Sequence, residues 1–293
     1  MATDTRTLAT GNTTDDATFR AWGQSISDCV KAAALTAHTD TGQINWTTVT
    51  RPAINTYAGY EIFKFTTDTA SSLGCYIKIE YGQGATLAYP ALRIQVGTGT
   101  NGSGTLTGTT GTQRAFAGAT AGAALTAYCS GGDGRFVFTA GFGGTGTNLQ
   151  NTIFIVERIR DNTGSPTANG IYTFFTANTS SSPAAFTQVI RSGSAQTVVN
   201  DRLGAMVPNQ TTNFGGDYYL NTNHPFDQGF GNPILSNLFY YHTDLNAGTD
   251  ITVPMYGTNR TYKALGRNAV TAGTPWHSNA FGHTNSGFAI IWE

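Results

Sequence analysis

From the N-terminus, a Thr-rich polar stretch of 14 residues gives way to a run in which Phe19, Trp22, Ile26, Val30 and Ala33 recur at steps of three and four. Apolar side chains at that spacing line one face of a helix. A helix is therefore predicted from Asp15 to about Leu35, with Thr14 or Asp15 as N-cap and Asp15 and Asp16 set against the positive end of the dipole. After Thr39-Asp40-Thr41-Gly42 the period changes to two. Tyr60–Phe65, Cys75–Tyr81 and Leu92–Val96 read as strands. In the last two, Cys75, Ile77, Ile79 and Tyr81, and Leu92, Ile94 and Val96, share one face, while Lys78, Glu80, Arg93 and Gln95 take the other. Their loop-length separations predict an antiparallel meander with one wet face.

Further strands are predicted over residues 134–140, 151–160, 170–176, 185–192, 235–242, 250–256, 260–265 and 287–292, with Asp161-Asn162-Thr163-Gly164 as a hairpin turn. Residues 209–232, rich in Asn, Gly and aromatics, read as a long loop region. The fold class expected is mainly β, an antiparallel β-sandwich-like body with one N-terminal α-helix. Residues 1–42 would be an arm and helix serving attachment or oligomerisation, and 43–293 the body, with a second small β-domain from about 200 as the alternative.

Composition narrows the function classes. Only 11% of the 293 residues are charged, and 16 basic residues face 17 acidic ones, so there is no cationic excess to displace counterions from nucleic acid. A hydrophobic content of 39% with 12% aromatics is enough for a sizeable core. Nowhere do about eighteen apolar residues run together, so no membrane insertion is expected. Met-Ala-Thr-Asp-Thr-Arg-Thr lacks the basic-then-apolar pattern of a signal peptide, which predicts synthesis in a host cytoplasm. Thr, Ser, Asn and Gly replace Lys and Glu at the surface, a chemistry suited to the outside of cells. Together these point to a virion component released by lysis. Cys29, Cys75 and Cys129 form neither a complete disulfide set nor a metal-ligand spacing, and read as small buried hydrophobes.

Candidate chemistry is sparse. Gly97-Thr-Gly-Thr-Asn-Gly102 matches G-x-G-x-x-G after a strand, but Gly and Thr follow it where a helix should begin, so a turn-rich loop is expected and no cofactor. His277 and His283 come without an acidic ligand pattern, and His224 beside Pro225 reads as a loop histidine. No G-x-S-x-G elbow is present. Glu61, Glu80 and Glu157 alternate with apolar residues and are expected at solvent-facing positions or in strand ion pairs; two acids could still converge from distant strands, but no catalytic pair is assigned. The stripe Phe19, Trp22 and Ile26 either packs on the chain's own sheet or docks on another chain as an assembly interface. Tyr218, Tyr219, Asn223, His224, Phe226 and Phe230 share one Gly-rich segment and offer the ring faces and amides that bind sugars; the alternative is a set of plugs anchoring the loop.

Several stretches also carry a family resemblance. Asp15-Asp16-Ala-Thr-Phe-Arg-Ala-Trp22, Asp40-Thr-Gly-Gln-Ile-Asn-Trp46, Gly59-Tyr-Glu-Ile-Phe-Lys-Phe65, Tyr76-Ile-Lys-Ile-Glu-Tyr-Gly82, Val96-Gly-Thr-Gly-Thr-Asn-Gly-Ser-Gly104 and Phe154-Ile-Val-Glu-Arg158 resemble a widespread group of uncharacterised virion structural proteins of tailed bacteriophages. The likeness keeps its order over about the first 165 residues, fades after 200 and returns at Ile290-Ile-Trp-Glu293. It implies a structural component near the tail, baseplate or fibre, or one decorating the capsid, with no catalytic residues to carry over. The expectation is a non-enzymatic virion protein whose partners are other virion proteins, further copies of itself in a threefold assembly, and a host surface glycan.

Overall fold

The computed structural model describes residues 2–8, 15–33, 35–67, 73–83, 90–109, 114–117, 125–132, 134–142, 152–160, 165–179, 182–191, 194–196, 221–222, 238–241, 248–255, 258–264 and 287–293. Within them the chain is mainly β, with antiparallel sheets and one helix. Strand β1 (Ala2–Leu8) precedes the helix α1 (Asp16–Ala32). Asp15 caps α1: its carboxylate accepts from Thr18 N at 2.8 Å, and Thr18 Oγ1 accepts from Asp15 N at 3.3 Å. At the other end Ala33 N donates back to the carbonyls of Cys29 and Val30. Phe19, Trp22, Ile26, Cys29 and Val30 are all buried, as the apolar stripe requires.

A five-stranded sheet follows, built from β2 (Leu35–Ala37), β3 (Tyr57–Phe65), β4 (Tyr76–Gln83) and β5 (Pro90–Gly97). After the short hairpin β6 (Gly99–Thr100) and β7 (Leu106–Thr107), β8 (Arg114–Ala117) completes it in the order β2-β3-β4-β5-β8. The register sets Phe63, Ile77 and Val96 side by side, and likewise Glu61, Ile79 and Ile94. This row faces α1; the alternate row, Tyr60, Lys64, Tyr76, Lys78, Glu80, Arg93 and Gln95, lies on the opposite face.

The largest sheet contains β9 (Leu125–Gly132), β10 (Arg135–Phe142), β11 (Thr152–Arg160), β12 (Pro166–Thr179), β13 (Ser182–Arg191) and β14 (Ser194–Gln196), with β1 at its edge beside β9. The N-terminal residues are thus an edge strand and not a free arm: Ala2 lies opposite Gly131 and Leu8 opposite Leu125. One face of this sheet contributes Ala127, Cys129, Phe136, Phe138, Phe154 and Val156 to a core shared with α1 and with the inward row of the five-stranded sheet. Two sheets closing on one helix make the sandwich. Each fully buried Phe, Ile or Val in it contributes of order 2 kcal/mol as an upper estimate.

Close approach dictates two glycines here. A Cβ on Gly131 would stand 1.9 Å from the carbonyl oxygen of Ala33, so the C-terminus of α1 rests directly on β9. A Cβ on Gly23 would stand 1.9 Å from Trp46 Cη2, so the far end of the indole reaches up to the helix backbone. The last hundred residues supply a third sheet from β15 (Asn221–Thr222), β16 (Leu238–Tyr241), β17 (Asp250–Met255), β18 (Thr258–Ala264) and β19 (Gly287–Ile291), ordered β15-β16-β19-β18-β17. The Trp292 ring at its C-terminal end meets Tyr128 of β9 edge-on, with centroids 5.7 Å apart.

Candidate functional site

The proposed assembly anchors are located first. Phe19 is 0% exposed, Trp22 3% and Ile26 0%, all within the chain's own core. Trp22 and Trp46 both meet the Tyr81 ring edge-on, at 6.1 and 4.7 Å, and Phe19 lies 6.1 Å from Trp46. The docking expectation for these three residues is therefore corrected: no apolar face of theirs is left for a second chain. Within residues 1–42, α1 contributes to the core between the sheets and β1 pairs with β9 at the edge of the larger one.

Polar chemistry ties α1 to the five-stranded sheet. Glu61 lies on the same face of β3 as Phe63 and Phe65, pointing at the helix. Its Oε1 accepts from Ser27 Oγ at 2.8 Å and pairs with Lys31 Nζ at 3.2 Å, and its Oε2 accepts from Tyr81 OH at 2.7 Å. Lys31 Nζ also donates to Ser27 Oγ at 2.7 Å. Burial raises the Tyr81 phenol well above its ordinary pKa, and the adjacent Glu61 carboxylate adds to this. Glu61 was expected in solvent or in a strand ion pair; it is buried and bonded mainly across to the helix. Counting back in twos from Phe65 and Phe63 would have placed it inside.

Glu157 is also buried and lies opposite Arg135 of the neighbouring strand in the register, the strand-pair alternative of its expectation rather than the solvent-facing one. The phenol of Tyr262 is raised above its usual pKa, first by burial, with Glu293 and Glu157 adding and Arg260 and Arg135 opposing. Glu80 meets the expectation as well. It sits on the wet face, 3.1 Å from Lys78 Nζ and 2.9 Å from Arg93 Nη2.

The outer face of the five-stranded sheet carries a half-buried cluster of charged and aromatic side chains. Arg93 lies 3.9 Å from the centroid of the Tyr57 ring, Lys78 4.8 Å from Tyr60 and Lys64 5.0 Å from Tyr76. His38 meets Tyr76 edge-on at 5.0 Å, and its Nε2 lies 3.4 Å from Asp40 Oδ1. Asp40 Oδ2 accepts from Thr100 Oγ1 at 2.5 Å and from Gly104 N at 2.9 Å, which pins the β6–β7 hairpin across the face. A Cβ on Gly104, whose φ is +87°, would stand 2.3 Å from the Tyr60 ring. The G-x-G-x-x-G match is thus a tight hairpin packed on tyrosine, as the sequence context predicts. Since the chain's own cations lie over all three tyrosines, this face offers hydrogen bonds and charge rather than bare rings for stacking.

His38 and Asp40 resemble the orienting half of a catalytic triad, but no hydroxyl nucleophile is hydrogen-bonded to His38 among the described residues. No group of three or more His, Cys, Asp or Glu side chains there is arranged to hold a metal ion. Cys29, Cys75 and Cys129 are buried thiols, in agreement with their sequence reading. Burial raises the Cys129 thiol well above its usual pKa, with a hydrogen bond involving Cys29 adding to this. Tyr218, Tyr219, Asn223, His224, Phe226 and Phe230, together with His242, His277 and His283, lie outside the described residues. No described helix is long and apolar enough to cross a membrane. Comparison with known proteins finds no matching family model, curated protein or solved structure.

Proposed function

We propose that the chain is a non-enzymatic structural protein of a tailed-bacteriophage virion, placed at the tail, baseplate or fibre, with capsid decoration as the alternative position. The observation that supports this best is how its few charges are used. Asp40 ties the hairpin to the sheet edge, Glu61 ties helix to sheet, Glu80 bridges two strands, and Glu293 holds the C-terminus to Arg260 of β18 at 2.7 Å. Arg158 Nη2 reaches across to the Leu73 carbonyl at 2.8 Å. Each group is spent on internal cross-bracing, which suits a building block more than a reaction site. The composition and the family resemblance point the same way.

The test is quantitative mass spectrometry of density-gradient-purified particles from a lysate producing this chain, beside particles from a strain in which the gene is deleted. The proposal expects the chain at a fixed ratio to other particle proteins, and a morphological or infectivity defect on deletion. Recovery of the chain only in the soluble fraction, with normal particles on deletion, would overturn it. A second reading, contact with a host surface glycan, rests on the aromatics and amides of 218–230. A glycan array comparing the full chain with a Tyr218→Ala/Tyr219→Ala variant tests it: binding lost in the variant supports it, and no binding by either removes it.

A further inference from the structure

We propose that β1 is a self-complementary edge through which two copies of this chain join, β1 pairing antiparallel with the β1 of a second copy so that the seven-stranded sheets become continuous. This inference is independent of the virion reading. Strand β1 ends the sheet order, its inner side is paired with β9 along its whole length, and no described strand lies on its outer side. An edge strand carries a row of outward N–H and C=O groups that template another strand. Thr3 and Thr5 are exposed, while Asp4 and Arg6 lie on the face towards α1, where Arg6 Nε donates to Asp4 Oδ2 at 2.5 Å.

The occupant follows from symmetry and charge. Two copies related by a twofold axis perpendicular to the sheet must pair residues whose numbers have an even sum, because opposite residues share a face. A sum of eight sets Asp4 against Asp4, and a sum of twelve sets Arg6 against Arg6; both place like charges opposite each other. A sum of ten sets Asp4 against Arg6 twice, Thr5 against Thr5 and Thr3 against Thr7, and it uses the full strand from Ala2 to Leu8. The two intrachain pairs then merge into a network of four alternating charges, and the exposed Thr5 meets its own copy on the outer face. The strand is therefore complementary to itself in one register. The assembly is twofold, in place of the threefold one expected from the sequence.

The test uses the full chain. Sedimentation velocity across a wide concentration range should show a reversible dimer. Asp4→Arg or Arg6→Asp alone should weaken it roughly tenfold or more, since each puts like charges opposite at two places, and the double exchange Asp4→Arg/Arg6→Asp should restore it to within a few-fold. Register is read by cross-linking with oxidised glutathione, which takes up two electrons and two protons as two thiols join. Thr5→Cys should give a covalent dimer, because the twofold brings its two copies together. Thr3→Cys should not, whereas Thr3→Cys/Thr7→Cys should. Circular dichroism identifies which variants are folded, and the exposed positions 3 and 5 keep the cross-linking arm interpretable if a charge variant fails to fold. A monomer at all concentrations, a trimer, or equal cross-linking of Thr5→Cys and Thr3→Cys would overturn the proposal.

Discussion

Replacing Gly23 by Ala should destabilise this protein, although the position is interior to a helix. In an ordinary helix the change gains about 1 kcal/mol, because glycine loses more backbone entropy on folding. Here the added Cβ would lie 1.9, 2.2 and 2.8 Å from three carbons of the Trp46 ring. Ordinary contact needs about 3.5 Å, so the indole must retreat by roughly 1.5 Å. It has little room to do so: Tyr81 stands edge-on 4.7 Å away and Phe19 6.1 Å away, both fully buried. Overpacking of this kind costs about 1–3 kcal/mol, and expelling the ring approaches the 3–5 kcal/mol of a Trp deletion. Subtracting the helix gain leaves a net loss of about 2 kcal/mol. Urea denaturation followed by circular dichroism measures it. In a Trp46→Leu background the obstruction is gone, and Gly23→Ala should revert to a gain of about 1 kcal/mol. A gain of that size in the otherwise unchanged protein would refute the packing of Trp46 against α1.

Three further outcomes are expected. Glu61→Ala should cost about 3–5 kcal/mol by orphaning the buried Tyr81 hydroxyl and Ser27, whereas Glu61→Gln, which keeps an acceptor for Tyr81, should cost about 1 kcal/mol; the same denaturation assay separates them, and equal losses would contradict the bonding described. Tyr57, Tyr60, Tyr81, Tyr128 and Tyr262 all have phenols raised by burial, so above the ordinary value of 10 the unfolded chain releases protons that the folded chain keeps. Stability is thus full below pH 10 and falls as pH rises beyond it; in a spectrophotometric titration the Tyr81 and Tyr262 phenolates should appear only with unfolding. Asp15, held below its ordinary value of 3.8 first by the Thr18 backbone hydrogen bond and then by the Thr18 side chain, acts at the opposite end. Its contribution is full above that value and is lost as pH falls through the lower folded one, so Asp15→Ala should flatten the acid limb of a Tm-against-pH curve.

What the sequence discloses depends on how strongly packing marks it. The three- and four-residue steps from Phe19 to Val30 identify α1 because one side of it is wholly apolar, and strict alternation identifies β4 and β5. That pattern shows the stripe is covered but not by what, which is why Phe19, Trp22 and Ile26 allow a docking reading that the structure corrects. Strand β9 escapes detection because α1 ends on top of it: Gly131 must be glycine to clear the Ala33 carbonyl, and small residues dilute the alternation. Strand β1 escapes because Thr alternates with Asp and Arg, so no apolar period exists. Among candidate site residues, Glu61 and Glu157 are hidden by their own charge. A carboxylate in a strand reads as solvent-facing, and only the neighbours brought by the fold, Ser27, Lys31 and Tyr81 for Glu61, make burial tolerable.

The central structural claim is that the N-terminal segment belongs to the body's core and is not a detachable attachment module. Amide hydrogen exchange on the intact chain tests it most directly. If α1 closes the sandwich, the amides of residues 20–32 should exchange only with global unfolding, at the same opening free energy as the central residues of β4 and β10. Exchange of those helix amides well ahead of β4 and β10, with the sheets still protected, would contradict the account.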